Sequence, residues 1–272
     1  MMRVILTAAL LLLLYSKSFS QDSGEAEGVE NPNKIEHADP VFEDLTTDLG
    51  ARRGENELNV NFGYQKLRKN HHVFLSQLEY EIAPLDNWGI EILFPYSVYF
   101  NNDLDETERP GNTMEFFQWG TQITFLKSKR RNISMALSFR NILAIQEPDA
   151  GKIKFRFENI TYNPYLIFAK NWQESFFLLL TGGFEISQIV GENQIDLAFP
   201  INTAFHVKFL KDHFIGLELN NNFKDGEAEI FLRPQVIFQI FEDYTLGASL
   251  GIPLGIEDEL WTGFLRLAYQ FK

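Results

Sequence analysis

Residues 260–272 read LWTGFLRLAYQFK. Trp261, Gly263, Leu265, Leu267, Tyr269 and Phe271 fall on one parity and are apolar or small. Thr262, Arg266, Gln270 and Lys272 fall on the other, together with Phe264 and Ala268. A period of two is the signature of a strand, whose successive side chains point to opposite faces. The apolar face must be covered, either by the core of a soluble protein or by lipid.

The same period recurs upstream. ELNVNFGYQ sets Leu58, Val60, Phe62 and Tyr64 against Glu57, Asn59, Asn61 and Gln65, and WGIEILFPYSVYF sets Trp88, Ile90, Ile92, Phe94, Tyr96 and Val98 against Gly89, Glu91, Pro95 and Ser97. Twelve such segments follow Glu55, centred near Val60, Leu78, Ile92, Thr121, Leu137, Pro164, Leu180, Ile201, Leu217, Val236, Leu250 and Leu267, most of 9 to 14 residues. Soluble strands average about 5 or 6 residues; a tilted strand crossing a bilayer needs about 9 to 11. In the sixth segment the apolar parity switches between Phe157 and Ile160, which predicts a bulge near Glu158 and Asn159.

The connections alternate as well. NNDLDETERPGN, QEPDAG, VGEN, NFKDGEAE and IEDE are long or acidic, whereas PLDN, KSKRR, KNWQE, LKD and ED are short. LRKN is short where a long loop is due. Outer-membrane barrels carry short turns on the periplasmic side and longer loops outside. Aromatic residues gather near segment ends (Tyr64, Trp88, Phe100, Phe168, Phe209, Phe241, Tyr244, Trp261, Phe271), where interfacial girdles belong. In hydrocarbon no backbone group can go unpaired, so such a sheet must close on itself. The expected fold is all-β: a transmembrane antiparallel up-and-down barrel of about 12 strands over residues 55–272. Its greasy parity faces lipid, and Arg266 and Gln270 face the lumen.

The start of the chain reads as an export signal over residues 1–20. Arg3 is the basic end, Ile5 to Tyr15 the apolar run, and Ser18-Phe19-Ser20 the cleavage site. Without Arg3 and Lys17, 22 of the 24 basic residues remain against 37 acidic ones, a net charge of −15. That balance argues against nucleic acid, which demands a basic footprint. There is no cysteine, so burial and backbone pairing must hold an exported chain of this size. Residues 21–54 are polar and acidic and read as a periplasmic segment. A short helix is expected within it: Asp39 is placed to cap, Pro40 suits the first helical position, Gly50 suits the end, and Phe42, Leu45 and Leu49 share a face. Such a helix could plug the periplasmic mouth.

The stretch HADPVFEDLTTDLGARRGENELNVNFGY, His37 to Tyr64, resembles the opening of a family of Gram-negative outer-membrane β-barrels. That family has a His-Ala-acid-Pro segment leading into Asp-Leu-Gly-Ala-Arg-x-Gly-Glu and the first strand. The resemblance implies topology and an outer-membrane location rather than an activity. Prolines inside strands (FPYS, FPIN, IPLG, NPYL) are also similar to FadL-like and phenol-degradation-associated barrels. The final strand is similar to the terminal strand that the barrel assembly machinery recognises, one residue early because Lys272 follows Phe271.

No catalytic constellation stands out. A lipid hydrolase on a barrel uses a His and a Ser two residues apart on one strand. Here His71 and His72 precede Ser76 by five and four residues, and four residues of strand span about 13 Å. Glu36, His37 and Asp39 lack a trustworthy metal-ligand spacing, and no cofactor is expected. The parity places Glu57, Glu79, Glu81, Glu91, Glu185, Asp196, His206 and Glu218 in the lumen with Arg140, Lys208, Arg233 and Arg266. These groups either line a wet path or lock together and close it. Pro95, Pro164, Pro200, Pro234 and Pro253 remove ladder donors and could open the wall sideways. The expected function is passive passage or uptake of a small solute, apolar solutes included. The alternative is a closed barrel with a structural, adhesion or partner-binding role. The expected partners are outer-membrane lipid, the assembly machinery and the solute.

Overall fold

The computed structural model describes residues 35–43, 45–67, 71–101, 116–145, 157–192, 194–210, 212–255 and 259–271. Residues 1–34, which include the expected export signal, and residues 102–115 and 146–156, which hold most of the loop NNDLDETERPGN and all of QEPDAG, lie outside the described residues.

Thirteen strand segments follow one another: β1 (Asn56–Leu67), β2 (His71–Leu85), β3 (Trp88–Asn101), β4 (Phe116–Ser128), β5 (Ile133–Ile145), β6 (Phe157–Trp172), β7 (Phe176–Gly183), β8 (Glu185–Ile189), β9 (Ile195–Phe209), β10 (His213–Lys224), β11 (Glu227–Phe241), β12 (Tyr244–Leu254) and β13 (Glu259–Phe271). Each pairs antiparallel with its neighbours, and β13 pairs with β1 from Asn56↔Phe271 to Leu67↔Glu259, so the sheet closes. β7 and β8 both lie between β6 and β9 and act as the two halves of one crossing. The result is a closed 12-stranded antiparallel barrel, with no helix among the described residues.

Closure gives each crossing a neighbour on both sides, although β3 pairs with β4 only over Trp88–Leu93, and parity decides what each face shows. On β5, Ser134, Ala136 and Ser138 are buried while Leu137 is 59% exposed. On β13, Phe264 and Ala268 are buried while Trp261, Leu265 and Leu267 are exposed. Exposed Phe94, Ile123, Phe125, Leu166, Leu180, Ile201, Phe205, Leu217 and Leu250 carry the apolar outer surface around the barrel. In water so large an apolar surface would be an aggregation liability; against acyl chains it is the solvated side.

The bulge expected near Glu158 is present. Ala144 pairs with Asn159 and Ile145 with Phe157, so Glu158 is skipped and the parity changes. At one end of the barrel, tight turns at residues 86–87, 129–132, 173–175 and 242–243, and at Leu210 and Asp212, join the strands. Several need the left-handed region, at Asn87, Asn132, Gln173, Glu174, Leu210 and Asp212. The other end carries the remaining connections. These are called the turn end and the loop end below.

The wall is interrupted beside two prolines. Tyr165 pairs with Gly183 and Tyr162 with Ile186, but no pair forms between Asn163–Pro164 and Phe184–Glu185. On the other side, Gly182 pairs with Ile201 and Glu185 with Ala198, and the ladder is open at Phe199–Pro200. The register is the same above and below the gap. Phe184 donates its N–H to the Pro164 carbonyl (3.0 Å), and a Cβ on Gly183 would fall 2.2 Å from that oxygen. Pro234 marks a second gap: Leu232 pairs with Ile252 and Gln235 with Ser249, with nothing between.

Candidate functional site

The interior is where polar chemistry concentrates. The segment 35–55 runs through it as an irregular strap rather than the expected helix. The cause is competition for its backbone. Arg266 donates to the Pro40 carbonyl (3.0 Å), Gln235 accepts from Val41 N–H (2.6 Å) and Glu218 accepts from Glu43 N–H (3.0 Å). Gln122 donates to the Thr47 carbonyl (2.7 Å), and Thr124 accepts from Gly50 N–H (3.0 Å). Wall side chains take groups that a helix would pair four residues apart. The three apolar residues also part company. Leu45 and Leu49 pack with Ala136, Tyr165, Ile167 and Leu179. Phe42 packs beside Val41 against Ile237 and Phe264, its ring 5.4 Å from that of Phe264.

The strap starts at the turn end, where Glu36 meets Lys208 (2.6 Å) and His37 Nε2 meets Ser134 Oγ (2.9 Å). It rises to mid-barrel at Glu43 and returns to the turn end, where Arg53 N–H donates to Asp86 (2.9 Å). Two glycines make room. A Cβ on Gly89 would fall 1.9 Å from Thr47 Oγ1, and one on Gly247 would lie 3.5 Å from the Cβ of Val41.

Two charged groups hold the top of the strap. Arg140 pairs with Glu43 (2.9 Å) and with Glu91 (3.0 Å), lies 5.2 Å over the Tyr165 ring, and shares Glu91 with Gln118 (3.1 Å). Glu91 is fully buried. Opposite, Glu218 is also fully buried and accepts from the Glu43 N–H and from Asn220 (2.7 Å). Asn220 continues a row across four neighbouring crossings. Arg233 donates to it (2.8 Å), it donates to Asn202 (3.2 Å), and Asn202 donates to Thr181 (3.3 Å). The Arg233 guanidinium lies 3.5 Å from the centre of the Phe42 ring. Buried charges persist only when paired and hydrogen-bonded; Arg140 meets that condition through two carboxylates, whereas Arg233 is held by the Asn220 amide and the Phe42 and Phe231 rings, with Nη1 buried and unbonded.

The remaining residues singled out from the sequence scatter. Glu79 and Glu81 are buried and face Asn61 (3.5 Å) and Asn59 (2.7 Å). Lys208 serves Glu36 and Asp212 (3.3 Å) near the turn end, and Asp196 meets Lys224 (3.4 Å) near the loop end. His206 is fully buried beside Gly216, with neither ring nitrogen hydrogen-bonded. His72 Nδ1 is hydrogen-bonded with the Tyr64 hydroxyl while Ser76 donates to the Tyr96 carbonyl, so the two do not meet. Among the described residues no three His, Cys, Asp or Glu side chains are arranged to hold a metal ion. The amide row at Thr181, Asn202 and Asn220 was not foreseen. NNN at residues 220–222 was its only trace in the sequence.

On the loop-end side of Glu43 a cavity of about 190 Å³ remains, lined by Glu43, Tyr165, Glu185, Asn202, Asn222 and Glu229 among others. Among the described residues no lysine or arginine lines it. It adjoins the gap in the wall, since Asn163, Gly182 and Pro200 also border it.

A closed 12-stranded barrel, apolar outside and polar within, is the fold of bacterial outer-membrane channels. The whole barrel and its strap, residues 33–270, match the HAEPLYID-like family model. The chain belongs to that family. No curated protein matches the sequence. Among solved structures, the COG4313 outer membrane channel from Pseudomonas putida F1 superposes with a TM-score of 0.61 at 12% identity, covering 86% of this chain and 100% of that one. The KdgM porin in complex with disordered oligogalacturonate gives 0.55 at 10% identity, covering 79% and 99%, and the NanC porin gives 0.55 at 11% with the same coverage. At these identities the likeness is one of fold.

Proposed function

We propose that this protein is a channel of the bacterial outer membrane that passes a small solute passively, and that the strap keeps its turn end shut at rest. On this reading the turn end faces the periplasm. One observation carries it: the obstruction is separable from the wall. The strap contributes no strand to the barrel, and among the described contacts side chains and single hydrogen bonds hold it at mid-lumen. Above it the lumen keeps a polar cavity of about 190 Å³. A closed structural barrel has no need of such a cavity.

The cavity suits a hydrophilic solute without negative charge. Glu43, Glu185 and Glu229 border it, and the Asn220 amide already donates to Asn202 and Glu218, and the Asn202 amide to Thr181. The KdgM porin was solved with oligogalacturonate, a chain of carboxylates; the lining here would repel such a molecule. A second reading rests on the gap beside Pro164 and Pro200. There the ladder opens between cavity and outer wall, under Phe184 and Phe199, whose rings lie 5.3 Å apart. An apolar solute would leave sideways through it.

Cross-linking tests the main reading, and the lack of cysteine makes it clean. The 3.5 Å Cβ separation between Val41 and a Cβ on Gly247 falls within disulfide range. In planar bilayers Val41→Cys/Gly247→Cys is expected to conduct little when oxidised and to open on reduction. Equal currents in both states would refute the strap as the closure. Silence of the wild type under every condition would favour the structural, adhesion or partner-binding alternative.

A further inference from the structure

We propose that the β4–β5 turn and the adjoining end of β6 form a docking site for the headgroup of an anionic phospholipid, an inference that rests on the membrane reading above. Lys129, Arg130 and Arg131 project from the turn as exposed side chains. Lys170 pairs in register beside them, reaches the Arg131 carbonyl with its ammonium, and stands 5.8 Å over the Trp172 ring. Among the described residues no carboxylate pairs with any of these four cations. Arg52, Arg140, Lys208 and Lys224, by contrast, each have an acidic partner. In a chain with a net charge of −13, four unanswered cations in one place call for an anion from outside.

The surroundings say which anion. The wall running into this turn is among the barest on the barrel: Ile123 and Phe125 are each 53% exposed and Leu137 is 59% exposed. Acyl chains cover such residues, and their headgroups then lie level with the turn. Trp172, 43% exposed, marks that level, as an amphipathic ring at a membrane boundary does. Long basic side chains reach a phosphate from there while their stems stay on apolar surface. Exposed acids stand at both ends, Asp225, Glu227 and Glu229 at the loop end and Asp86, Glu174 and Glu242 at other turns of the turn end, so the basic cluster is a local feature of the β4–β5 turn. On the membrane reading above, that turn meets the leaflet that holds phospholipid.

The test uses the full chain in nanodiscs of mixed phosphatidylglycerol and phosphatidylcholine, with retained lipid read by native mass spectrometry. The wild type is expected to retain phosphatidylglycerol about tenfold or more over phosphatidylcholine. Lys129→Gln/Arg130→Gln/Arg131→Gln lowers the ratio to about fivefold or less, the share left to Lys170, while its heat-dependent gel shift stays that of a folded barrel. Lys170→Gln, which keeps all three turn cations, lowers the ratio by about fivefold. Excess inorganic phosphate leaves the wild-type ratio unchanged. Equal retention of both lipids by the wild type, an unchanged ratio in the triple variant, or displacement of the lipid by free phosphate would each overturn the proposal. A chain that enters neither lipid would overturn the membrane reading itself.

Discussion

Arg140→Met removes the cation that Glu43 and Glu91 share. The two losses differ. Glu43 has a side chain 31% exposed, so its pair is worth about 1 kcal/mol or less after solvent screening. Glu91 has a side chain at 0% exposure, and it also accepts a 3.1 Å hydrogen bond from Gln118. Truncating one partner of a buried pair costs about 3–5 kcal/mol, most of it from the stranded charge. Arg140→Met should therefore destabilise the barrel by about 4 kcal/mol. At a urea slope of about 1–3 kcal/mol/M this lowers the unfolding midpoint by about 1.3–4 M. The assay is urea titration of protein refolded in detergent, followed by tryptophan fluorescence. Neutralising the carboxylate as well, in Glu91→Gln/Arg140→Met, should recover about 2–3 kcal/mol, a coupling expected between side chains in contact. If the double variant loses as much as the two single variants together, the stranded charge is not the cause and the reasoning fails.

Gly89→Ala places a methyl group where Thr47 Oγ1 now lies, 1.9 Å from the new Cβ. It should push the strap off the wall, so that limited proteolysis cuts within 35–55 while the barrel fragment stays intact. Gly183→Ala drives a Cβ against the Pro164 carbonyl at 2.2 Å, a backbone atom that cannot swing aside. It should cost about 2 kcal/mol or more in the same urea assay, in line with overpacking and strain elsewhere. Lys208→Met should change stability by less than about 1 kcal/mol, because its partners Glu36 and Asp212 are 43% and 44% exposed.

The barrel could be read from single segments because alternation is local. Leu265 and Arg266 are neighbours in sequence and face opposite sides whatever else the chain does. The phase change between Phe157 and Ile160 exposed the skipped residue Glu158 for the same reason. The strap could not be read this way. Its spacing fits a helix, but its partners sit far away in sequence: Gln235 for Val41, Glu218 for Glu43 and Arg266 for Pro40. Capping residues predict a helix only when nothing stronger competes for the backbone. The amide row was hidden likewise, since Thr181, Asn202 and Asn220 meet only once β7, β9 and β10 lie side by side. The prolines were legible as ladder breakers. That Pro164 and Pro200 flank one gap required the register of three crossings.

The account depends most on which parity of β13 meets lipid, and nitroxide scanning measures that directly in a chain with no native cysteine. Spin labels placed singly from Leu265 to Ala268 in reconstituted bilayers should alternate. Positions 265 and 267 should relax fast with oxygen, and positions 266 and 268 should be shielded from it. Oxygen accessibility that is uniform along the four positions, or highest at 266 and 268, would contradict it.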